Sequence, residues 1–191
     1  MILGRRALFL DRDGVINVDH GYVSRQEDFH FVDGIFELCR AAKRHGYLII
    51  VITNQAGIGR GYYTEEAFWT LTDWMCGVFR AEGADIDKVY FCPTHPEHGI
   101  GKFRVESDFR KPGPGMLLQA ADDFRLDLPG SLLVGDKESD IQAGIAAGVG
   151  RNVLFRPEAP FAGAETSADA EVGNLTEVCS FLSSKIANSV N

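Results

Sequence analysis

The sequence predicts an α/β fold in which a central, mostly parallel sheet is covered by helices on both faces. Short apolar runs alternate with amphipathic segments of helical period, the rhythm of strand-helix-strand units. The run 48–52 is apolar without a break, as suits a parallel strand buried on both sides. Three apolar runs also end in polar clusters: Asp11-Arg12-Asp13-Gly14, Thr53-Asn54, and Asp136-Lys137-Glu138-Ser139-Asp140. Parallel strands deliver their C-terminal ends to one edge, so the three clusters are expected to form one site.

The elements follow in order. The run 7–10 is the first strand and stops at Asp11. Residues 34–45 have helical period, with Ile35, Leu38, Cys39 and Ala42 on one face and Gly46 as a C-terminal cap. Strand 48–52 comes next and belongs in the middle of the sheet. Thr64 caps a long helix, with Glu65 and Glu66 in its first turn and Phe68, Leu71, Thr72, Met75 and Phe79 at helical spacing. Trp69 and Trp74 on this helix are read as packing residues. Residues 88–92 form a shorter strand.

Segment 93–110 has neither period and is long for a connection in a compact domain, which marks it as a binding or gating loop. Pro114 opens helix 115–124, strand 132–134 follows, then helix 138–147 and a short strand over 152–155. From 157 to 170 the composition turns to Pro, Ala, Gly, Ser and acidic residues. Asn174, with Glu177 three residues later, caps a terminal helix ending near 186, and 187–191 are expected to fray. No repeat or linker divides the chain, so residues 1–191 are taken as one domain, and 45% hydrophobic content is enough for one core.

A formal charge of −8 with no basic block argues against a nucleic-acid partner. No apolar run reaches membrane-spanning length, and the apolar residues precede the basic pair Arg5-Arg6, unlike an export signal. A cytoplasmic location without a membrane partner is therefore expected. Without a heptad pattern, the expected state is a monomer. Cys39, Cys76, Cys92 and Cys179 are scattered, which disfavours a disulfide framework. The stretch from Cys92 to His98 concentrates possible metal ligands, but a structural zinc site commonly uses paired cysteines, and no second one follows in the loop.

By itself Asp11-x-Asp13-Gly14 is also compatible with a solvated turn. In company with Asp136, Glu138 and Asp140 it becomes a set of carboxylates that repel unless neutralised, and a hard divalent ion such as magnesium meets that need with oxygen ligands. Thr53, Asn54 and Lys111 offer a hydroxyl, an amide and a cation to a phosphate. Gly57-Ile58-Gly59-Arg60-Gly61 matches neither a Walker sequence nor a dinucleotide fingerprint; it is read as a flexible or tightly turned segment with Arg60 as an exposed candidate for substrate contact. A carboxylate can attack phosphorus to give an aspartyl-phosphate, so Asp11 and Asp13 divide the work as nucleophile and proton carrier in this scheme.

Asp11-Arg12-Asp13-Gly14, Thr53-Asn54, Lys111 and Gly135 to Asp140 together resemble the four ordered motifs of the haloacid dehalogenase-like (HAD) phosphatase superfamily. The resemblance implies a Rossmann-like three-layer sandwich without a large cap domain. It also implies magnesium held by the side chains of Asp11 and Asp136 and the backbone carbonyl of Asp13, with Asp140 supporting the metal site or Lys111. The stretches 9–23, 53–61 and 110–112 resemble more specifically the heptose bisphosphate phosphatases, a branch related to histidinol-phosphate phosphatases. That resemblance implies hydrolysis of the C7 phosphate of D-glycero-D-manno-heptose 1,7-bisphosphate, for the heptose of lipopolysaccharide or other surface glycans.

On the same basis Thr53, Asn54 and Lys111 match phosphate-binding positions, Arg110 the reader of the second phosphate, and Asp19, His20 and Tyr22 the loop near the sugar. Arg60 and Lys137 are further candidate substrate contacts. A histidinol-phosphate phosphatase and a non-catalytic phosphate-binding protein are the alternatives. Family members with zinc have a histidine two residues after the loop cysteine and a Cys-x-Cys before Arg-Lys-Pro. Thr94, Ser107 and Phe109 stand at those positions here. The loop is therefore expected to lack structural zinc and to be held by packing of Phe103, Val105 and Phe109.

Overall fold

A computed structural model describes residues 4–157 and 165–182. Six strands form one all-parallel sheet: β1 (Arg6–Leu10), β2 (Tyr47–Asn54), β3 (Lys88–Cys92), β4 (Leu132–Gly135), β5 (Arg151–Phe155) and β6 (Ala170–Val172), in the order β3-β2-β1-β4-β5-β6. The helices are α1 (Ile35–Arg44), α2 (Ala56–Gly59), α3 (Glu65–Ala81), α4 (Gly115–Phe124) and α5 (Glu138–Ala147), with a 3-10 helix over Leu175–Phe181.

Period-2 alternation in the central strands builds the three layers. Leu8, Leu10, Ile49 and Val51 point to the face covered by Leu38 of α1, Phe68 and Met75 of α3, and Leu175 of the 3-10 helix. Ala7, Phe9, Ile50 and Ile52 point to the opposite face, against Met116 and Leu117 of α4 and Ile141 of α5. Because both faces are covered, these strands can be apolar at every position. The chain steps outward from β1 to β2 to β3 and then returns to lay β4 on the other side of β1. This reversal opens a crevice beyond the ends of β1 and β4, from which Asp11 and Asp136 depart.

Local signals act as the sequence suggests at several boundaries. Thr64 Oγ1 accepts from Ala67 N at 3.1 Å, and Asn174 and Glu177 form a reciprocal capping box. Four features differ. The capping box starts a 3-10 helix that ends at Phe181; the expected continuation to 186 and the tail 187–191 lie outside the described residues. Strand β6, unexpected from sequence, has only Val172 buried, so it carries no apolar run. Segment 57–61, expected to be flexible or tightly turned, is tightly turned and in addition helical: Gly57, Ile58 and Gly59 are buried in the single turn of α2, and Gly61 follows at φ 75°. Its glycines permit this packing, since a Cβ on Gly57 would lie 2.2 Å from the Tyr63 ring and one on Gly59 2.3 Å from the Pro93 carbonyl oxygen. Finally, β2 runs through Asn54, so Thr53 and Asn54 project from the strand end itself.

Phe9 is fully buried in the central strand. Phe9→Ala is expected to lower the unfolding free energy by about 3–5 kcal/mol, read from urea melts, because rigid neighbours on both strands cannot close the cavity.

Candidate active site

Lys111 is the hub of the crevice. Its ammonium contacts Asp11 Oδ1 at 2.8 Å, Asp140 Oδ1 at 2.7 Å and the Ile52 carbonyl at 3.0 Å. Three donors meet three acceptors, so a residue only 4% exposed is fully satisfied. Asn54 holds the Lys111 backbone from both sides: Oδ1 accepts from Lys111 N and Nδ2 donates to Lys111 O, each at 3.1 Å. Asn54 thus fixes the lysine as well as facing the cavity.

Asp11 Oδ1 also accepts from Arg12 N at 2.7 Å. Carboxylate oxygens of Asp11, Asp136 and Asp140 lie within 4.8 Å of one another, and Asp136 Oδ1 is buried with no hydrogen-bond partner among the described residues. Asp140 Oδ2 accepts from Lys137 N at 3.0 Å, closing the first turn of α5. Glu138 turns away from the acidic group and accepts from Thr166 Oγ1 and Ser167 N. The close approach requires glycine twice. A Cβ on Gly14, where φ is 95°, would lie 2.2 Å from Asp136 Oδ2, and one on Gly135 would lie 2.2 Å from the Asp140 Cβ.

Asp13 is surrounded by donors. Arg12 Nη2 reaches its Oδ1 at 2.8 Å, Asn17 Nδ2 the same oxygen at 3.1 Å, and Gln55 Nε2 its Oδ2 at 2.9 Å. Arg12 is buried, its guanidinium near the faces of Phe29 and Phe68 and donating to Val23 O at 2.7 Å. Gln55 Nε2 also donates to Thr53 Oγ1 at 2.7 Å, and Tyr63 donates to Gln55 Oε1 at 2.5 Å. Sequence reasoning assigned no role to Arg12, Asn17, Gln55 or Tyr63. The burial of Arg12 is tertiary, although a cation inside Asp-x-Asp was a signal for a partner.

A cavity of about 370 Å³ opens over these groups. Asp11, Asp13, Asp19, Tyr22, Asn54, Arg110, Lys111 and Lys137 line it, together with the unanticipated Gln55 and Ser139. Asp19 Oδ1 accepts from Gly21 N at 2.9 Å, and its Oδ2 pairs with Lys137 at 3.2 Å, tying the 19–22 loop to the start of α5. Tyr22 sits in the left-handed region at φ 55°, with Tyr62 edge-on at 4.7 Å and the Arg60 guanidinium 5.7 Å from its ring.

Three candidates are not brought to the cavity wall. Thr53 is fully buried beneath Gln55, Arg60 stands behind Tyr22, and His20 packs edge-on against His30. A larger neighbouring cavity, about 650 Å³, lies on the other side of Asp19. It is lined by Gly14, Val18, Phe31, Asp136 and Phe155 among others, so it meets the acidic group at Asp136 but touches neither Asp11 nor Lys111.

Residues 108–154 match the HAD-hydrolase-like family model. Over 177 residues, 93% of each chain, the sequence is 65% identical to D-glycero-alpha-D-manno-heptose-1,7-bisphosphate 7-phosphatase of Burkholderia mallei. The chain belongs to the heptose-1,7-bisphosphate 7-phosphatase family of HAD-like hydrolases. It is 51% identical to the D-glycero-beta-D-manno-heptose-1,7-bisphosphate 7-phosphatase of Vibrio cholerae serotype O1, over 83% of this chain and 85% of that one. The crystal structure of D,D-heptose 1,7-bisphosphate phosphatase from B. bronchiseptica, complexed with magnesium and phosphate, superimposes with a TM-score of 0.79 at 26% identity, covering 93% of this chain and 97% of that one.

The phosphatase holds its 93–110 loop mainly by backbone bonds. His95 N donates to Phe103 O, Ile100 N to Gly59 O, and Gly115 N to Asp108 O. Phe103 packs against the core as expected, whereas Val105 is 47% and Phe109 37% exposed. The expected packing of all three is thus corrected: backbone pairing fixes the loop, so two of them can face outward. His95 Nδ1 accepts from Glu97 N and His98 N, and Cys92 Sγ lies 3.2 Å from Thr94 Oγ1. Arg110 reaches back to the Thr94 carbonyl at 3.3 Å.

Burial raises the pKa of Asp11 well above the usual carboxylate range; Lys111 opposes the rise, and Asp140 and Asp136 add to it. Burial by itself would lower the Lys111 pKa, but Asp11 and Asp140 reverse the effect and raise it. The Asp136 carboxyl is pushed up to about 6, first by burial and then by Asp140, against Lys137 and Lys111. Between the ordinary 3.8 and about 6, the folded metal-free phosphatase keeps the Asp136 proton that the unfolded chain has lost. Its stability therefore falls as pH rises through that window. Asp136→Asn removes this contribution and is expected to raise unfolding free energy at pH 7 by about 1–3 kcal/mol in urea melts with chelator. A variant no more stable than the parent at pH 7 would contradict the burial effect.

Proposed function

We propose that this phosphatase hydrolyses the C7 phosphate of D-glycero-D-manno-heptose 1,7-bisphosphate through an aspartyl-phosphate, in a magnesium-dependent reaction giving heptose 1-phosphate. The observation that carries the reading is the convergence of Asp11, Lys111 and Asp136 at the crevice between β1 and β4, with Arg110 lining the same cavity as Asp11 and Lys111. A carboxylate held beside a buried ammonium suits phosphoryl transfer, and the adjacent guanidinium offers a forked grip for a second phosphate. The named activities of the relatives at 65% and 51% identity support the substrate.

Both donors to Asp11 engage Oδ1, so Oδ2 is the attacking oxygen. The Asp11–phosphorus bond forms as the bond from phosphorus to the C7 oxygen breaks, and Asp13 gives that oxygen a proton. In the second half Asp13 takes a proton from water, which attacks phosphorus, frees phosphate and restores Asp11. The donors around Asp13 suit its task as a proton acceptor in this second half. Lys111 offsets charge on the phosphoryl oxygens. The Thr53 hydroxyl, buried beneath Gln55, accepts from its amide and so helps to orient it.

The unpartnered buried Asp136 oxygen and the nearby Asp11 carboxylate fit a hard cation, with the Asp13 carbonyl as a further ligand and Asp140 fixing Lys111. Magnesium, when bound there, supplies positive charge to the phosphoryl oxygens. In the 93–110 loop, the internal acceptor role of His95 Nδ1 supports a zinc-free loop. Asp19, Tyr22 and Lys137 face the sugar, and Arg110 faces the C1 phosphate. The protein acts as a cytoplasmic monomer, supplying heptose for surface glycans including lipopolysaccharide.

Phosphate release should be measured on both bisphosphate anomers, histidinol phosphate and simple sugar monophosphates. The bisphosphates are expected to lead; equal turnover of every monophosphate would overturn the assignment. Asp11→Asn should abolish turnover and acid-stable trapping of labelled phosphate on the protein, and a normally active variant would remove Asp11 as nucleophile. Arg110→Ala should reduce kcat/KM for the bisphosphate about 10- to 100-fold while leaving monophosphate turnover within a few-fold, the contrast expected for loss of a charged hydrogen bond to a second phosphate.

A further inference from the structure

We propose that Tyr63 is a positioning residue for phosphoryl transfer, acting through Gln55 on Asp13; the inference rests on the role given to Asp13 above. A Gln amide has one donor end and one acceptor end, and here the surroundings fix which is which. The Asp13 carboxylate only accepts, so Gln55 turns its NH2 group toward it, at 2.9 Å, and gives the second proton to Thr53 Oγ1 at 2.7 Å. The carbonyl end must then face Tyr63, and the phenol must donate. Burial pushes the Tyr63 hydroxyl up to about 12, so it keeps the proton it donates.

The acceptor end of Gln55 has no equivalent substitute. Without the phenol O–H, its carbonyl is left without that donor in a residue only 1% exposed. Rotation of the amide to seek another partner would turn Oε1 toward the Asp13 carboxylate and withdraw the donor from Thr53. Tyr63 is itself fixed by packing. Its ring occupies the space above Gly57, where a Cβ would fall 2.2 Å from Cε1 and 2.8 Å from the hydroxyl. Gln55 is anchored from the other direction, its backbone N donating to Cys92 O at 2.8 Å. The chain Gly57, Tyr63, Gln55, Asp13 therefore runs from the packing of α2 to the proton carrier. It accounts for a glycine and a glutamine in the 53–61 stretch that no phosphate-cradling motif explains.

A double-mutant cycle tests this on whichever phosphate ester the unmodified protein turns over fastest. Tyr63→Phe removes one oxygen and keeps the ring on Gly57. It is expected to lower kcat about tenfold with KM within about twofold, since the substrate is bound but Asp13 is misaligned. Gln55→Leu should cost at least as much, and the double variant no more than Gln55→Leu alone, because Tyr63 acts only through Gln55. Wild-type kcat in Tyr63→Phe, or losses that multiply in the double variant, would overturn the proposal. Should Gln55→Leu fail to fold, Gly57→Ala gives the second route: it displaces the Tyr63 ring and should reproduce the kcat loss of Tyr63→Phe without adding to it. A Gly57→Ala protein with wild-type kcat would likewise overturn the proposal. A failed cycle leaves the substrate assignment intact, and a different preferred ester leaves the cycle measurable.

Discussion

One buried ammonium group organises the site. Lys111 draws its three acceptors from the end of β1, the end of β2 and the first turn of α5 after β4. An unpaired cation at this depth would be strongly destabilising, so those three elements must arrive together. The arrangement aligns Asp11, the end of β2 and the acidic turn about a single point. Asn54 makes the constraint reciprocal by clamping the lysine backbone through both ends of its amide.

The same depth creates the electrostatic demand that the chemistry then uses. Asp11, Asp136 and Asp140 crowd together, and the two lysines beside them, Lys111 and Lys137, do not neutralise three carboxylates. Close approach is possible because Gly14 and Gly135 lack the Cβ atoms that would collide with Asp136 and Asp140. The buried, unpartnered Asp136 oxygen is the residue of that crowding, a position that a cation would satisfy. Asp13 stands apart from the repulsion: Arg12, Asn17 and Gln55 surround it with donors, so two aspartates two positions apart have different surroundings.

Around this centre the loops differ in how they are held. The 19–22 loop is tied by Asp19 to Lys137 and by Tyr22 to Tyr62 and Arg60, which is why Arg60 stands behind the aromatic wall. The 93–110 loop rests on backbone pairing to α2 and to itself, with one aromatic, Phe103, reaching the core. The expectation that Phe103, Val105 and Phe109 all pack failed because hydrophobic side chains in an irregular segment carry no period that says which of them turns inward. His20 failed as a cavity residue for a similar reason: its ring found His30 instead.

The sequence by itself determined the layered α/β fold, five of the six strands and the acidic and basic residues at their ends. Period and capping are local properties, and both survive translation into structure at Thr64 and Asn174. Asp11 and Asp136 were legible because charged residues directly after buried strands have few structural reasons to be there, whereas Lys111, 19 residues beyond the end of β3, was legible only through its motif. Only the tertiary structure decided that Thr53 lies beneath Gln55, that Arg12 is buried beside two aromatic rings, and that Gly57 makes room for Tyr63. Those outcomes depend on which side chains meet across the sheet edge, and hydrogen bonds between residues 42 positions apart, such as Gln55 to Asp13, leave no periodic trace in the chain.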